Sequence, residues 1–401
     1  MTLERKRRYL STLFSVLAVL AAAMVINLFM ESKQINRTIK VGFIYVGDSS
    51  DAYTNNFLKA QMAVENEYGA QTELIAKYNV SDDGVEEVLK ELVEEKCDMI
   101  FATSYGYGEK TKEYASKYPD IEFCQATCSN ANEEPVLDNY HTYMGAIYQG
   151  RYIAGVAGGM KLKELIDRNV ITPEQAKIGY IAAYPYAEVI SGYTAFFLGV
   201  RSVVPEAVMT VRYTNSWGSY KLEKEYAKEM IENGCVLISQ HSDTAGPAVA
   251  CEETDRTQVV YYVSYNDSMQ DVAPTTYLTG SKINWTPYML GAVKAVLEDK
   301  DIEDCVEGNV NGNDIGAGFE NDWVKMLPIN ELSAAEGTRE CIDELIEEFK
   351  KGEVKVFKGD YIGVNPYDSS DTIDLRDGYN ENEKSSAPTF SYILKDVITV
   401  E

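Results

Sequence analysis

Short apolar runs alternate with longer stretches of helical periodicity from residue 40 to about residue 160. Three runs have the length of a buried strand: VGFIYV (41–46), CDMIF (97–101) and IEFCQA (121–126). Strands that alternate with helices form parallel sheets covered by helices on both faces. The pattern therefore predicts an α/β lobe over residues 38–160, ending in a small-residue-rich helix, GRYIAGVAGGM (150–160), that packs closely on its neighbours.

The same alternation restarts near residue 178, which predicts a second α/β lobe over residues 161–280. Its predicted strands are IGYIAA (178–183), VMTVRY (208–213), CVLIS (235–239) and VVYYVSY (259–265), and its predicted helices include residues 188–203 and 220–234. A later helical pattern, PYMLGAVKAVLE (287–298), needs a sheet to cover, so residues 281–401 are expected to complete both lobes. We predict two doubly wound parallel-sheet lobes with a cleft between them.

An uncharged run, LSTLFSVLAVLAAAMVINLFM (10–30), follows the basic cluster Arg5-Lys6-Arg7-Arg8. As a helix it would span about 31 Å, which matches the hydrocarbon core of a bilayer. The positive-inside rule then places the chain beyond about residue 31 outside the cytoplasm. A signal peptide cleaved after Ala21-Ala22-Ala23 is the competing interpretation, although cleavage there would leave apolar residues at the new terminus. We favour one uncleaved transmembrane helix, with residues 1–37 as anchor and linker at the extracytoplasmic face of the cell membrane.

Charge is distributed unevenly along the 401 residues. The net charge is -26, yet residues 1–40 carry seven Lys or Arg and two Asp or Glu, so the remaining chain has a net charge of -31. An acidic domain of this kind repels phosphate backbones. The composition therefore excludes nucleic acid as an expected partner.

Seven cysteines are scattered through the predicted lobes without the spacing of a metal site. Cys124 and Cys128 are four positions apart, but there is no second such pair and no histidine nearer than His141. An odd number of cysteines argues against a complete disulfide framework in an exported protein. Buried reduced thiols and one or two bridges both remain open, and no metal or cofactor is expected.

The loops that follow the predicted strands share an aromatic and polar character. Ligands of doubly wound sheets bind beyond the carboxyl ends of the strands, where these loops gather. The flat apolar faces in the loops are those of Tyr53, Tyr105, Tyr107 and Trp217. The directional hydrogen-bonding groups are Asn55, Asn56, Ser104, Asn215, Asp243 and Asp267. Polar turns and frequent tyrosine, 29 in this chain, are the alternative explanation, but six loops of one kind favour a cleft for a flat polar small molecule.

The run LISQHSDT (237–244) places His241, Ser242 and Asp243 side by side, which raises the alternative of a hydrolase. A nucleophilic triad needs the three groups to converge from separate positions, and the chain has no G-x-S-x-G turn. The other histidine, His141, has no obvious partner in its local sequence. We therefore expect no catalytic residue and no enzymatic activity, with Asp243 accepting hydrogen bonds from a ligand and His241 in a packing or supporting position.

Several of these stretches resemble the basic membrane protein family of extracytoplasmic substrate-binding proteins, which are similar to type I periplasmic binding proteins. The stretches are FATSYGYG (101–108), IYQGRYIAGVAGGMK (147–161), IGYIAAYPYAEVISGYTAFFLGVRSVVPEA (178–207), TNSWGSYKLEKE (214–225), ISQHSDT (238–244) and INWTPY (283–288). They occur in the family's order and cover nearly the whole of the predicted lobes.

The resemblance implies a receptor for purine nucleobases or nucleosides that delivers its ligand to an ABC transporter permease. Family positions correspond here to Tyr53, Ser104, Asn215, Trp217, Asp243, Asn284 and Trp285. Glu188, in the matching YPYAEV loop, joins them as an expected ligand-binding residue. The first loop, SSDAYTNNF, departs from the family's usual forms, and residues 10–30 replace the family's lipid-accepting cysteine. A membrane-anchored ligand sensor or orphan binder is the alternative function.

Overall fold

The computed structural model describes Val19 and residues 37–401. Apart from Val19, the predicted span over residues 10–30 lies outside the described residues. In the part of the chain that is described, we find no helix with the length and apolar character needed to cross a membrane.

Strands and helices alternate along the described chain. The strands are β1 (Ile39–Ile44), β2 (Thr72–Lys77), β3 (Met99–Ala102), β4 (Glu122–Ala126), β5 (Tyr140–Gly145), β6 (Lys177–Ala182), β7 (Val208–Tyr213), β8 (Leu237–His241), β9 (Tyr261–Tyr265), β10 (Tyr277–Ile283), β11 (Asn309–Asn311), β12 (Asp314–Ala317), β13 (Val324–Met326), β14 (Ile362–Asn365), β15 (Asp368–Asp374), β16 (Ile393–Leu394) and β17 (Ile398–Val400). The helices are α1 (Ala52–Tyr68), α2 (Val85–Glu94), α3 (Gly108–Lys117), α4 (Ile147–Asp167), α5 (Ala187–Val203), α6 (Tyr220–Glu232), α7 (Gly246–Glu252), α8 (Thr286–Glu298), α9 (Ile302–Cys305) and α10 (Thr338–Lys350).

Two seven-stranded sheets form the fold, and the first five strands of each sheet along the chain have the same topology. The first has the order β11-β12-β5-β4-β3-β1-β2, and the second has the order β13-β10-β9-β8-β6-β7-β17. All neighbours are parallel except β11 with β12 and β10 with β13. In each sheet the strand order reverses beside the first strand, at β1 and at β6, which is the switch point where doubly wound sheets form a crevice. The predicted α/β class with parallel sheets is confirmed.

Helix α4 shows where the chain passes from the first sheet to the second. It follows β5 directly, yet it packs against α5, β10 and β13 of the second lobe. The chain therefore crosses near Ala146, and the boundary expected at residue 160 lies inside α4. Its small residues explain the close packing, since a Cβ on Gly155 would lie 2.0 Å from the carbonyl oxygen of Phe196. The expectation of a closely packed helix over residues 150–160 is confirmed.

The last part of the chain contributes to both lobes. Strand β12 pairs with β5 in the first sheet, whereas β13 and β17 form the two edges of the second sheet. The segment after α10 joins the lobes through side chains as well. The Asp314 carboxylate accepts hydrogen bonds from the Ser386 amide and hydroxyl, both at 2.6 Å, and Ser191 in α5 donates to Glu381 at 2.9 Å.

All seven cysteines are free thiols in the structure, and five of them are buried. Of the two interpretations that the sequence left open, the structure has reduced thiols. Burial raises the pKa of Cys124 and of Cys128, and the latter reaches about 12. These two side chains are therefore neutral packing groups at physiological pH.

His141 has partners that its local sequence does not reveal. Its Nδ1 lies 2.6 Å from Glu303 Oε1, and its Nε2 lies 3.0 Å from Glu122 Oε2. Burial alone would lower the pKa of the imidazole, but hydrogen bonds to these two carboxylates raise it to about 9. Glu303 lies in α9, remote in sequence, so only the tertiary fold brings the group together.

We expect protonated His141 to stabilise the fold. An unfolded histidine titrates near 6.5, so this stabilisation is fully present below about pH 6.5 and is lost as the pH rises through about 9. Urea unfolding of wild type and His141→Gln at about pH 6 and about pH 9.5 measures it. The substitution should lower the free energy of unfolding more at the acidic pH. An equal loss at both values would contradict the assignment, and Glu303→Gln should reduce the same pH dependence.

Candidate ligand-binding site

A cavity of about 370 Å³ lies between the two lobes, at the carboxyl ends of both sheets. Its first-lobe lining is Val46, Gly47, Asp51, Tyr53, Val80, Ser81, Asp82, Ser104, Tyr105 and Thr127. Its second-lobe lining is Glu188, Trp217, Gly218, Asp243, Tyr265 and Asn266. Of the predicted site residues, the structure brings Tyr53, Ser104, Tyr105, Glu188, Trp217 and Asp243 together around this cavity.

The first lobe fixes its aromatic side chain at the start of α1. Asp51 caps this helix, since its carboxylate accepts a 2.6 Å hydrogen bond from the Thr54 amide. Two residues later, the Tyr53 hydroxyl donates to the Thr103 carbonyl at 2.5 Å. The Tyr53 ring also meets Phe57 edge-on at 5.1 Å. Hydroxyl and ring contacts together hold one face of Tyr53 in a defined orientation at the cavity.

The second lobe presents an aromatic and an acidic group side by side. The Asp243 amide donates to the Trp217 carbonyl at 2.8 Å, and the Asp243 carboxylate accepts from Asn266 Nδ2 at 3.1 Å. The Trp217 ring packs on Tyr184 and Tyr186, with centroid distances of 5.6 and 6.4 Å. This arrangement positions an indole face and a carboxylate next to each other.

The cavity is acidic. Asp51, Asp82, Glu188 and Asp243 line it, and no Lys or Arg is among its described lining residues. Burial raises the pKa of Asp243 well above its usual value, and repulsion from Asp51, Glu223 and Glu188 acts in the same direction. Such a site favours a ligand that donates hydrogen bonds or carries positive charge, and it disfavours an anion.

Three predicted residues join the lobes beside the cavity and do not line it. Asn55 Nδ2 donates to Asp267 Oδ2 at 3.3 Å, and Asn56 Nδ2 donates to the Asn266 carbonyl at 2.9 Å. These hydrogen bonds connect α1 of the first lobe to the loop after β9 in the second. The structure therefore has the lobes closed over the cavity, with Asn55, Asn56 and Asp267 as bridging groups.

Four other predicted residues are not among those that line the cavity. Tyr107 is buried under α3 and donates to the Val80 carbonyl, and Trp285 is buried with its ring stacked on Phe57 at 4.4 Å. Both are core aromatics, because their surroundings are apolar side chains of the first lobe.

The remaining two are turn residues. Asn215 adopts a left-handed conformation with φ of 53°, which asparagine tolerates well, and its side chain is exposed. Asn284 donates to the Asp322 carbonyl at 2.8 Å and so ties two connecting segments together. None of these four residues lines the cavity, and their contact with a ligand stays a prediction.

Several lining residues escaped the sequence analysis. They are Val46, Gly47, Asp51, Val80, Ser81, Asp82, Thr127, Gly218, Tyr265 and Asn266. Asp51 could have been found, because an aspartate directly before a helical pattern signals an N-cap. Tyr265 is the last residue of β9 and Asn266 follows it directly, so the position of both at the carboxyl end of a predicted strand was a usable signal.

The adjacent His241, Ser242 and Asp243 do not form a triad. The Ser242 hydroxyl donates to Glu223 Oε2 at 2.8 Å, and neither ring nitrogen of His241 has a hydrogen-bond partner among the described residues. The geometry thus lacks the relay that nucleophilic catalysis by serine requires.

Two doubly wound lobes that close over a cavity define the type I periplasmic-binding-protein fold. A solved ABC transporter solute-binding protein of Aeropyrum pernix K1 shares the fold, with a TM-score of 0.63 and 16% sequence identity over 79% of this chain and 92% of that chain. The chain itself belongs to the Bmp family, described as ABC transporter substrate-binding protein PnrA-like, which matches residues 38–351. The predicted family resemblance is confirmed, and this family comprises binding proteins, not enzymes.

Two relatives differ in the ligand that their names give. A purine-binding protein of Brucella abortus (strain 2308) is 29% identical over 323 residues, which cover 80% of this chain and 83% of the relative. A candidate ABC transporter glucose-binding protein of Haloferax volcanii is 30% identical over 288 residues, which cover 71% of this chain and 67% of the relative. Family membership thus shows a solute-binding protein of ABC transport without naming the solute.

We expect Asp243→Asn to stabilise the protein in the absence of ligand. Because the folded pKa of Asp243 is raised, stability falls as the pH rises above the unfolded value near 3.9. The amide keeps an acceptor for Asn266 and removes the buried charge, so the free energy of unfolding at neutral pH should rise by about 0.5–2 kcal/mol. Denaturant unfolding checks this, with Asp82→Asn at the exposed rim as the control. Lower stability of Asp243→Asn would contradict it.

Proposed function

We propose that the protein binds a purine nucleobase or nucleoside between its lobes and delivers it to an ABC permease. The observation that carries the proposal is the pairing, inside one closed cavity, of aromatic faces with carboxylates. Tyr53 and Trp217 offer flat surfaces for a ring, and Asp243 and Glu188 offer acceptors for its N–H or O–H groups. The purine-binding relative supports this ligand class.

Glucose is the competing ligand, since a relative carries that name and sugars also present many hydroxyl donors. The two ligands differ in the interactions that they need from the site. A planar purine gains from stacking on a ring face, whereas a nonplanar sugar depends more on hydrogen bonds. The number of aromatic rings around the cavity, from Tyr53, Tyr105, Trp217 and Tyr265, favours the planar ligand.

Calorimetric titration of the purified protein with adenosine, guanosine, inosine, hypoxanthine and glucose tests the proposal. At least one purine should bind and raise the unfolding temperature as its concentration exceeds the dissociation constant, without being converted. Adenosine monophosphate is the control, because the acidic cavity should reject its phosphate. Binding of glucose with no binding of any purine would overturn the ligand assignment.

Removing a stacking ring should weaken purine binding specifically. We expect Trp217→Ala and Tyr53→Ala each to cost on the order of 1–3 kcal/mol of binding free energy, as base–aromatic stacking generally does. Tyr118→Ala, at a partly exposed tyrosine in the turn after α3, is a matched control that should leave affinity unchanged. Unchanged affinity in both cavity variants would show that the ring binds elsewhere.

We further propose that residues 10–30 keep the protein attached to the outer face of the cytoplasmic membrane. The uncharged length of the run and the basic cluster before it support this arrangement. Attachment would hold the cleft at a high effective concentration near a permease. N-terminal sequencing of the protein recovered from its native membrane should find an intact start. A start near Met24 and release into the soluble fraction would instead identify a signal peptide.

A further inference from the structure

Glu188 is the one acidic lining residue at the start of the second lobe's central helix. It lies in the first turn of α5, where the partial positive charge of the helix terminus favours a carboxylate. Its side chain is 17% exposed and faces the cavity. Among the described residues the Glu188 carboxylate has no hydrogen-bond partner. Its ion-pair partner is His241, with 3.5 Å between Glu188 Oε1 and His241 Nε2.

A glycine on the same face of α5 makes room for the His241 ring. Gly192 is one helical turn after Glu188, so both positions face the same way. A Cβ on Gly192 would lie 2.4 Å from Nδ1 of His241, which is closer than any real contact. On its other side the imidazole packs on Tyr265, with a centroid distance of 4.2 Å. The ring is therefore fixed between helix and strand with Nε2 directed at Glu188.

The buried imidazole of His241 destabilises the ligand-free protein. His241 is fully buried, and neither of its nitrogens has a hydrogen-bond partner in the part of the chain that the structure describes. A buried polar group without a hydrogen-bond partner destabilises the folded state. Burial lowers the pKa of His241; the nearby Glu188 carboxylate opposes this shift, and the Arg151 guanidinium reinforces it. The neutral ring carries a single N–H, which the carboxylate favours at Nε2.

We propose that His241 is a positioning residue whose Nε2–H holds the Glu188 carboxylate toward the cavity, where its free oxygen accepts a hydrogen bond from the bound ligand. On ligand binding the 3.5 Å separation shortens to a hydrogen bond. The inference rests on the proposed function, because it needs a ligand with an N–H or O–H donor. The proposed contact also explains why a histidine, and not an apolar residue, occupies this buried position.

Histidine ¹⁵N NMR observes this contact directly, because the chain has only two histidines. The ¹⁵N shifts separate a protonated ring nitrogen from a bare one, and His141 serves as the internal control. We expect Nε2 of His241 to carry the proton, and its resonance to move when saturating inosine is added. Glu188→Gln should move the same resonance without ligand. A proton on Nδ1, or a His241 signal that responds neither to inosine nor to Glu188→Gln, would overturn the proposal.

Binding measurements then separate positioning from packing. His241→Phe keeps a ring of similar size without nitrogen, and we expect it to weaken inosine binding by at least about tenfold, as loss of a hydrogen bond to a charged group implies. His241→Gln can place an amide N–H near the position of Nε2 and should restore most of the affinity. In a Glu188→Gln background, His241→Phe should have little further effect.

The outcomes distinguish this inference from the proposed function. Equal weakening by His241→Phe in both backgrounds, or no rescue by His241→Gln, would identify a packing role and overturn the inference while leaving purine binding intact. If wild type binds no purine, the proposed function fails, and the NMR response of His241 to Glu188→Gln still decides the contact. Should His241→Phe fail to fold, Gly192→Ala displaces the imidazole from the opposite side and should weaken inosine binding in the same way.

Discussion

The site depends on one constraint, which is that the first five strands of each sheet along the chain are parallel, doubly wound and arranged in the same order. Because these strands run in the same direction, the loops that follow them emerge at the same edge of the sheet. The two edges face one another here. Side chains far apart in the sequence, such as Tyr53 after β1 and Asp243 after β8, therefore lie around one cavity. Without this repeated topology, the same loop sequences would lie on unrelated surfaces.

The acidic groups that line the cavity for ligand binding also lower the stability of the ligand-free protein. Asp243 is half-buried near Asp51 and Glu188, and its raised pKa shows that a negative charge is unfavourable there. Such local conflicts with folding rules concentrate at functional sites, where the rest of the structure must offset them. The hydrogen bond from Asn56 to the Asn266 carbonyl holds the lobes together over these charges. A ligand that donates to the carboxylates would relieve the same cost, so acidity of the cavity favours the closed, occupied state over the closed, empty one.

Sequence periodicity was sufficient for the fold class, because strands and helices differ in the spacing of their apolar positions. It was less informative about which loop side chains reach the cavity. Tyr105 and Tyr107 illustrate the difficulty, since they are two positions apart in one short turn, yet Tyr105 is 58% exposed and Tyr107 is fully buried. The direction of each ring depends on the packing of α3 and on the Val80 carbonyl that Tyr107 reaches. The position of Trp285 was hard to predict for the same reason, because its stacking on Phe57 is a tertiary contact that the local sequence does not indicate.

The segment after residue 351 lies outside the region that matches the family, and its attachments bear on how the lobes can move. It contacts the first lobe through Asp314 and the second through the pairing of β17 with β7. Ser386 and Ala146 both line a small polar cavity at the point where the chain crosses between the lobes. Rotation about crossing segments displaces nearby atoms least and distant atoms most. Contacts at this position can therefore persist while the cleft edges separate, whereas the bridges from Asn55 and Asn56 lie on the cavity side and must break for a ligand to enter.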